Sequence, residues 1–207
     1  MYANQSILIG YSGHGFVVAE AALEAGIDIV GYADRTIPEN NPFGLTYIGV
    51  ESNEGFEGWK MDVSFMLGIG DNALREKIAR LVVNHNKKLL AVISKAASVS
   101  KTAKIGDGTF INRNVSVNAF AEIGNNVILN TGCIVEHECV LGDTVHIAPG
   151  AVLAGNVTVG ERTFVGANAV VRQGIYIGKD VVIGAGSVII NDVPDGMKIV
   201  GNPGKYI

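Results

Sequence analysis

The chain has 207 residues, of which 48% are hydrophobic and 17% are charged, and this composition describes a folded protein with a substantial core. A net charge of −4 without a run of basic residues argues against nucleic acid or an anionic membrane as a partner. No apolar stretch approaches the roughly 20 residues of a membrane-spanning helix, and the first residues carry no secretory signal. We therefore expect a cytoplasmic protein with no integral membrane segment.

The first part of the chain alternates between buried strands and an amphipathic helical pattern. The predicted elements are strands at 6–10, 27–33, 63–69 and 89–93 and helices at 16–25 and 73–85. This alternation is typical of a Rossmann-like βαβ domain, which we place at residues 1–92. Such a short unit lacks the second mononucleotide half, so a complete NAD site is not expected.

Three of these strands end in residues suited to ligand binding. The first runs into Gly10-Tyr11-Ser12-Gly13-His14-Gly15, whose backbone N–H groups can hold a phosphate at the start of a helix. Asp34 follows the second strand, where a carboxylate often contacts a ribose or a uracil, and Gly70-Asp71-Asn72 follows the third. One glycine loop alone equally fits an ordinary tight turn. Three strand ends on one rim predict a ligand site.

From residue 93 onward, an aliphatic residue recurs at every sixth position through seventeen hexapeptides, as far as residue 194. Small or β-branched residues follow four positions later, and Gly, Asn and Asp occupy the corners between them. A strict period of six fits neither an α-helix nor an isolated hairpin. It predicts a solenoid of short strands stacked coil on coil, at residues 93–194, followed by a C-terminal tail at 195–207.

His137 is the residue of the solenoid best suited to acid–base chemistry. It falls at an outward-facing corner of the repeat, between Glu136 and Glu138. A neighbouring carboxylate orients an imidazole and favours its action as a general base. His146 also lies outside the core, whereas His85, at the end of a helix, is interpreted as a surface residue.

Neither a metal site nor a cysteine nucleophile is expected. Zinc carbonic anhydrases of the solenoid type use three histidines, and this solenoid contains only two. Cys133 and Cys139 both occupy the small interior position of the repeat, so they are predicted to be core residues.

The chain resembles the hexapeptide-repeat sugar O- and N-acyltransferases related to sialic acid O-acetyltransferase. Within that group it is most similar to the UDP-4-amino-sugar N-acetyltransferases of the bacillosamine pathway. The stretches that carry the resemblance are Tyr11-Ser12-Gly13-His14-Gly15, Gly68-Ile69-Gly70-Asp71-Asn72, Ile128-Leu129-Asn130-Thr131, Val135-Glu136-His137-Glu138-Cys139, Ala154-Gly155-Asn156-Val157 and Val200-Gly201-Asn202-Pro203. The resemblance implies a left-handed β-helix with three hexapeptides per coil, although the usual crossover rule would give the opposite hand.

The resemblance also implies a homotrimer that binds acetyl-CoA between adjacent subunits and a nucleotide sugar in the N-terminal domain. The residue roles that it implies are His137 as general base, Glu138 as its support and Asn130 as an ordering residue, His146, Ala167 and Ala185 toward acetyl-CoA, and Ser12, Gly13, His14, Asp34, Arg35, Gly70 and Asn72 toward the nucleotide sugar. Asp34-Arg35 departs from the acidic pair that the family often has.

Three functions remain open from the sequence. The favoured one is transfer of an acetyl group from acetyl-CoA to the amine of a UDP-linked amino sugar, by direct attack of the neutral amine with His137 as base. The second is O-acetylation of a sugar hydroxyl, such as that of sialic acid. The third is a non-catalytic solenoid that scaffolds a partner.

Overall fold

The computed structural model describes residues 5–207, so residues 1–4 of the predicted N-terminal domain lie outside the described part. The N-terminal elements are β1 (Gln5–Ile9), α1 (Gly13–Ala25), β2 (Asp28–Ala33), β3 (Tyr47–Gly49), a 3₁₀ helix (Glu57–Lys60), β4 (Ser64–Leu67) and α2 (Asn72–Asn84). The four strands form a parallel sheet in the order β3-β2-β1-β4. Alternate residues of β1 face opposite sides, so Leu8 packs toward α1 while Ile7 and Ile9 pack toward α2.

The structure departs from the predicted elements in three places. Helix α1 begins at Gly13, three residues earlier than predicted, and β3 and the 3₁₀ helix were not predicted. The predicted fourth strand divides, because Leu89 pairs with Phe65 of β4 while residues 92–93 already belong to the solenoid. Short elements with three or four residues carry too little periodicity to be read from sequence.

The early start of α1 follows from close backbone packing. A Cβ atom on Gly15 or on Gly68 would overlap the carbonyl oxygen of Gly10. Side chains at these positions would push α1 and β4 away from the end of β1. The glycine loop is therefore required by packing, whether or not it also holds a ligand.

The remainder of the chain is a parallel β-helix with one short strand per hexapeptide. Its strands are β5 (Val92–Ile93), β6 (Ser98–Val99), β7 (Lys104–Ile105), β8 (Phe110–Ile111), β9 (Ser116–Val117), β10 (Glu122–Ile123), β11 (Ile128–Leu129), β12 (Ile134–Val135), β13 (Val140–Leu141), β14 (His146–Ile147), β15 (Val152–Leu153), β16 (Thr158–Val159), β17 (Phe164–Val165), β18 (Val170–Val171), β19 (Tyr176–Ile177), β20 (Val182–Ile183), β21 (Val188–Ile189), β22 (Lys198–Val200) and β23 (Lys205–Tyr206).

These strands form the three faces of a triangular prism. Face B contains β5, β8, β11, β14, β17, β20, β22 and β23, face C contains β6, β9, β12, β15, β18 and β21, and face D contains β7, β10, β13, β16 and β19. From β5 to β21, each strand pairs with the strand 18 residues away, as Ile128 does with His146, so one coil is three hexapeptides. In the predicted tail, β22 pairs with β20 and β23 pairs antiparallel with β22. The proposed domain limits at 92 and 194 stay predictions.

The predicted aliphatic series fills the prism. Residues such as Leu129 and Ile147 are fully buried, as are Cys133 and Cys139. Burial raises the pKa of the Cys133 thiol to about 12, so this residue is a protonated core side chain at neutral pH, as expected from its interior position.

The two parts of the chain meet at a buried arginine, which we call the Arg75 junction. Arg75, on α2, is 1% exposed. Its guanidinium donates to the carbonyl oxygens of Gly70 (3.0 Å), Asn126 (2.8 Å) and Thr144 (3.0 Å) and to the side chain of Asn72 (2.9 Å). Burial lowers the pKa of Arg75 to about 10, so it remains charged at neutral pH. The junction thus ties the strand end after β4 to two successive coils of the β-helix.

We predict that Arg75→Ala lowers the free energy of unfolding by about 3 kcal/mol or more, because buried carbonyls on both sides lose their donor. Chemical denaturation measures this change. Arg80→Ala, on the same helix, is the matched control: Arg80 pairs at the surface with Glu76, and its loss should cost no more than about 0.5 kcal/mol. Equal stabilities of the two variants would contradict the junction's role.

Candidate active site

The ends of β1, β2 and β4 enclose a cavity of about 290 Å³, which we call the nucleotide cavity. Five of the predicted nucleotide-sugar residues line it: Ser12, His14, Asp34, Arg35 and Gly70. Glu51, which the sequence analysis did not select, lines it as well and follows β3. The structure therefore brings the predicted strand ends together on one rim.

Asp34 is fixed by the glycine loop. Its Oδ2 accepts the backbone N–H of Tyr11 at 2.7 Å, and Gly10 donates to the carbonyl of Ala33 at 2.8 Å. The loop and the end of β2 are therefore held as one unit. The Asp34 carboxylate retains free lone pairs for a ligand hydroxyl.

Asn72 and Gly13 do not line the nucleotide cavity. The Asn72 amide donates to the carbonyl of Arg162 at 2.8 Å, and its oxygen accepts from Arg75, so the side chain is engaged in the Arg75 junction. Gly13 begins α1, and a Cβ added there would meet nothing within 4 Å.

His14 and His146 face each other where the N-terminal domain meets face B. Their ring centroids are 6.4 Å apart, with Phe110 beside His14 and Phe164 beside His146. Among residues 5–207, Nε2 of His14 and Nδ1 of His146 are buried without a hydrogen-bond partner. Burial, with the positive charge of Arg75, lowers the pKa of each imidazole to about 4. Both rings are therefore neutral at pH 7 and able to accept or donate a hydrogen bond.

Asn130 is placed beside this histidine pair. Its amide nitrogen lies 3.4 Å from Nε2 of His146, and its oxygen accepts from the Thr131 backbone (2.8 Å) and the Asn112 side chain (3.2 Å). These contacts hold the Asn130 side chain in one orientation at the corner between faces B and C.

His137 lies on a different edge of the prism, between faces C and D. Its Nδ1 is 3.0 Å from Oε2 of Glu138, and its side chain is 49% exposed. Gly155 stands one coil further on, and a Cβ there would lie 2.5 Å from Cε1 and Nε2 of His137. The Glu138 carboxylate thus holds Nδ1 of the imidazole, while Nε2 lies next to Gly155, which has no side chain to cover it.

The edge that carries His137 is opposite face B, so one chain does not bring His137 to the histidine pair or to the nucleotide cavity. Ala167 and Ala185 stack in successive coils at the corner between faces B and C, where Gly186 donates to the carbonyl of Ala167 at 2.8 Å. Within a single chain, His137, the corner with Ala167 and Ala185, and the nucleotide cavity therefore lie apart from one another.

A groove of about 420 Å³ connects the two parts of the chain. It is lined by Gly70, Asp71, Asn72, Ala73, Arg162, Phe164, Asp180, Val181 and Val182. Gly70 also lines the nucleotide cavity, so the groove and the cavity share a wall next to the histidine pair. No group of three or more potential metal ligands occurs in the described range 5–207, and none of its helices is both long and apolar enough to cross a bilayer.

Two family models match the chain. A model described as the PglD N-terminal domain matches residues 6–82, and a model of six bacterial transferase hexapeptide repeats matches residues 120–155, 138–173 and 156–191. No curated protein sequence matches significantly.

Several solved structures are similar over nearly the whole chain. The acetyltransferase domain of PglB from Neisseria gonorrhoeae FA1090 is 34% identical, with a TM-score of 0.90 over 99% of this chain and 100% of that one. PerB from Caulobacter crescentus, in complex with CoA and GDP-perosamine, is 34% identical, with a TM-score of 0.90 over 98% of this chain and 97% of that one. WeeI from Acinetobacter baumannii AYE, at 24% identity and a TM-score of 0.85, supports the fold alone.

A PglD-type domain followed by a left-handed hexapeptide β-helix defines a hexapeptide-repeat transferase. The chain belongs to the family of acetyl-CoA-dependent sugar N-acetyltransferases that act on nucleotide-linked amino sugars. These matches confirm the resemblance predicted from the sequence and the enzyme class. They also confirm the left-handed fold and acetyl-CoA as co-substrate, and they do not support the non-catalytic scaffold.

The buried histidine pair predicts acid sensitivity. Both histidines take up protons in the unfolded chain below a pKa near 6.5 but resist protonation in the folded protein down to about 4. Above pH 6.5 both rings are neutral in the folded and unfolded states, so they do not change the free energy of unfolding. As the pH falls from 6.5 toward 4, the unfolded chain takes up protons that the folded protein refuses, and the free energy of unfolding falls by on the order of 2 kcal/mol per histidine.

Thermal unfolding between pH 7.5 and 4.5 measures this loss. His14→Gln and His146→Gln should each flatten the pH dependence, whereas His85→Gln, at an exposed position, should leave the wild-type slope. An unchanged slope in both buried-site variants would refute the assignment.

Proposed function

We propose that this enzyme transfers the acetyl group of acetyl-CoA to the amine of a nucleotide-linked amino sugar, with His137 as general base. The observation that carries the proposal is the arrangement of His137 with Glu138 on the β-helix, together with a polar cavity at the strand ends of a PglD-type domain. The similar structures contain CoA with GDP-perosamine, or acetyl coenzyme A.

The proposed chemistry is a direct transfer. The neutral amine attacks the thioester carbonyl, a C–N bond forms, and the tetrahedral intermediate collapses with loss of CoA as thiolate. Nε2 of His137 takes the proton that the amine loses, and the imidazolium then supplies a proton to the departing sulfur. A covalent acyl-enzyme is not invoked, because both cysteines are buried in the prism.

The surroundings of His137 support this role. The contact with Glu138 assigns the Nδ1 proton to the carboxylate side, which leaves Nε2 as the basic nitrogen. Gly155 leaves space in front of Nε2, where any larger residue would stand. This space, on a ring that is 49% exposed, leaves room for a substrate amine to approach the base.

The proposal includes a homotrimer, because a neighbouring chain would supply what one chain lacks. His137 lies on the edge opposite face B. Face B carries His146 and is the face that adjoins the nucleotide cavity. Closed three-fold packing of triangular prisms sets the edge of one chain beside the face of the next. In such an assembly, His146, Ala167 and Ala185 would face acetyl-CoA, and Asn130 would order the junction beside it.

Two classes of acceptor fit the nucleotide cavity. The resemblance in sequence implies a UDP-linked amino sugar, while one similar structure holds GDP-perosamine. Ser12 and Gly70 would meet the diphosphate, and Asp34 the ribose, with Arg35 and His14 alongside. O-acetylation of a sugar that carries no nucleotide would leave this cavity without a ligand.

His137→Ala is predicted to lower turnover by about 10²- to 10⁴-fold, because the general base is lost while both substrates still bind. Release of CoA thiol in the presence of nucleotide-linked amino sugars measures turnover, and calorimetry measures acetyl-CoA binding. His85→Ala is the control, since His85 stacks on Trp59 away from the site. Turnover near the wild-type rate in His137→Ala would refute the assignment.

Mixed oligomers test whether one site uses residues of two chains. Asp34→Ala and His137→Ala are each expected to be inactive alone. Co-expression should restore about a quarter of wild-type turnover, because random mixing gives that fraction of interfaces an intact base and an intact cavity. Absence of any restored activity in verified mixed oligomers would mean that each chain acts alone.

A further inference from the structure

A largely buried glutamate, Glu51, lines the nucleotide cavity, and its carboxylate has no partner among the described residues. Glu51 is 5% exposed and lines the cavity together with Asp34 and Arg35. Within residues 5–207, no group donates a hydrogen bond to this carboxylate and no cation pairs with it. The carboxylate oxygens themselves keep some exposure to the cavity, so they are free to accept hydrogen bonds from a ligand there.

The position of Glu51 extends the cavity beyond the strand end that carries Asp34. Glu51, Arg35 and Ile78 also line an adjoining cavity of about 430 Å³, which opens along α2. A nucleotide bound at the rim can therefore continue from the first cavity into the second, past Glu51.

The strand order indicates which part of a nucleotide would reach Glu51. The glycine loop follows β1, Asp34 follows β2, and Glu51 follows β3, in a sheet ordered β3-β2-β1-β4. Neighbouring strands are about 4.8 Å apart, so Glu51 stands roughly 10 Å from the loop across the sheet. That is about the span from the phosphates of a nucleotide to its base. With phosphates at the loop and ribose at Asp34, the base falls at Glu51.

We propose that Glu51 binds the nucleobase and selects guanine over uracil, which rests on the proposed function and specifies its acceptor. A carboxylate offers two parallel acceptor oxygens and no donor. Guanine presents adjacent N1–H and 2-amino donors that match both oxygens. Uracil presents one N–H between two carbonyl oxygens, which a carboxylate repels. The acceptor class is therefore a GDP-linked amino sugar.

The ribose diol is the other group with two adjacent donors. Asp34 is better placed for it, because Asp34 is tied directly to the loop by the N–H of Tyr11, whereas Glu51 stands one strand further away. A ribose contact at Glu51 would not depend on the base, which gives the test its clearest alternative.

Calorimetric titration of the full-length protein with GDP, IDP and UDP tests the proposal. IDP differs from GDP only in lacking the 2-amino group. Wild-type protein should bind GDP about 10- to 100-fold more tightly than UDP, with IDP between them, because one or two charge-assisted hydrogen bonds are lost. This comparison needs no variant.

Glu51→Gln should bring GDP binding to within about 3-fold of UDP binding, since an amide offers one acceptor and places a donor against guanine. Glu54→Gln, an exposed carboxylate nearby on the chain, is the matched control and should bind all three nucleotides as wild type does. Equal binding of GDP and UDP by the wild type, or an equal loss for all three nucleotides in Glu51→Gln, would overturn the proposal.

The turnover assay separates this inference from the proposed function. Faster CoA release with a UDP-linked than with a GDP-linked amino sugar would leave acetyl transfer in place and overturn the role of Glu51. Guanine-selective binding that depends on Glu51, without CoA release from any nucleotide-linked amino sugar, would retain the base contact and overturn acetyl transfer.

Discussion

The relation between the N-terminal domain and the β-helix depends on the buried guanidinium of Arg75. It donates to carbonyl oxygens from the N-terminal domain and from two coils of the β-helix, and no carboxylate accepts from it in residues 5–207. A charge so enclosed is tolerated only where every donor is occupied. It also disfavours protonation of His14 and His146 nearby. The same contact therefore holds the nucleotide cavity against the coils and adds to the burial that lowers the pKa of both rings.

The 18-residue coil determines what can surround His137. Residues one coil apart stack at the same corner, so the side chain at 155 must share space with the imidazole at 137. At position 155 only glycine leaves Nε2 of His137 uncovered. Glu138 follows His137 in the left-handed conformation, with a φ of 59°, and its carboxylate points back to Nδ1. The geometry around His137 is thus a consequence of the repeat itself, since no separate loop is needed to build it.

The sequence predicted the β-helix well and the N-terminal domain only in outline, for a physical reason. A period of six recurs along the sequence itself, so stacking can be read directly from it. The three-residue strand β3 has no such signal, and Glu51 could not be selected without it. Asn72 was predicted to face the nucleotide sugar, yet its amide binds the carbonyl of Arg162. Sequence places a residue at a strand end but does not tell which of two adjoining spaces its side chain enters.

Under the proposed function, the separation of His137 from the nucleotide cavity within one chain has a consequence for how specificity can change. The residues that would recognise the nucleotide lie on the ends of β1–β4, whereas His137 and Gly155 lie on the far edge of the prism. In the proposed trimer these two sets come from different chains, and the nucleobase end of the acceptor lies away from the amine that His137 would serve. Substitutions without shared contacts act nearly additively. A change of base preference at the end of β3 can therefore occur without disturbing proton transfer. One catalytic edge can in this way serve acceptors that differ in their nucleotide, provided that the Arg75 junction keeps the cavity in register with the coils.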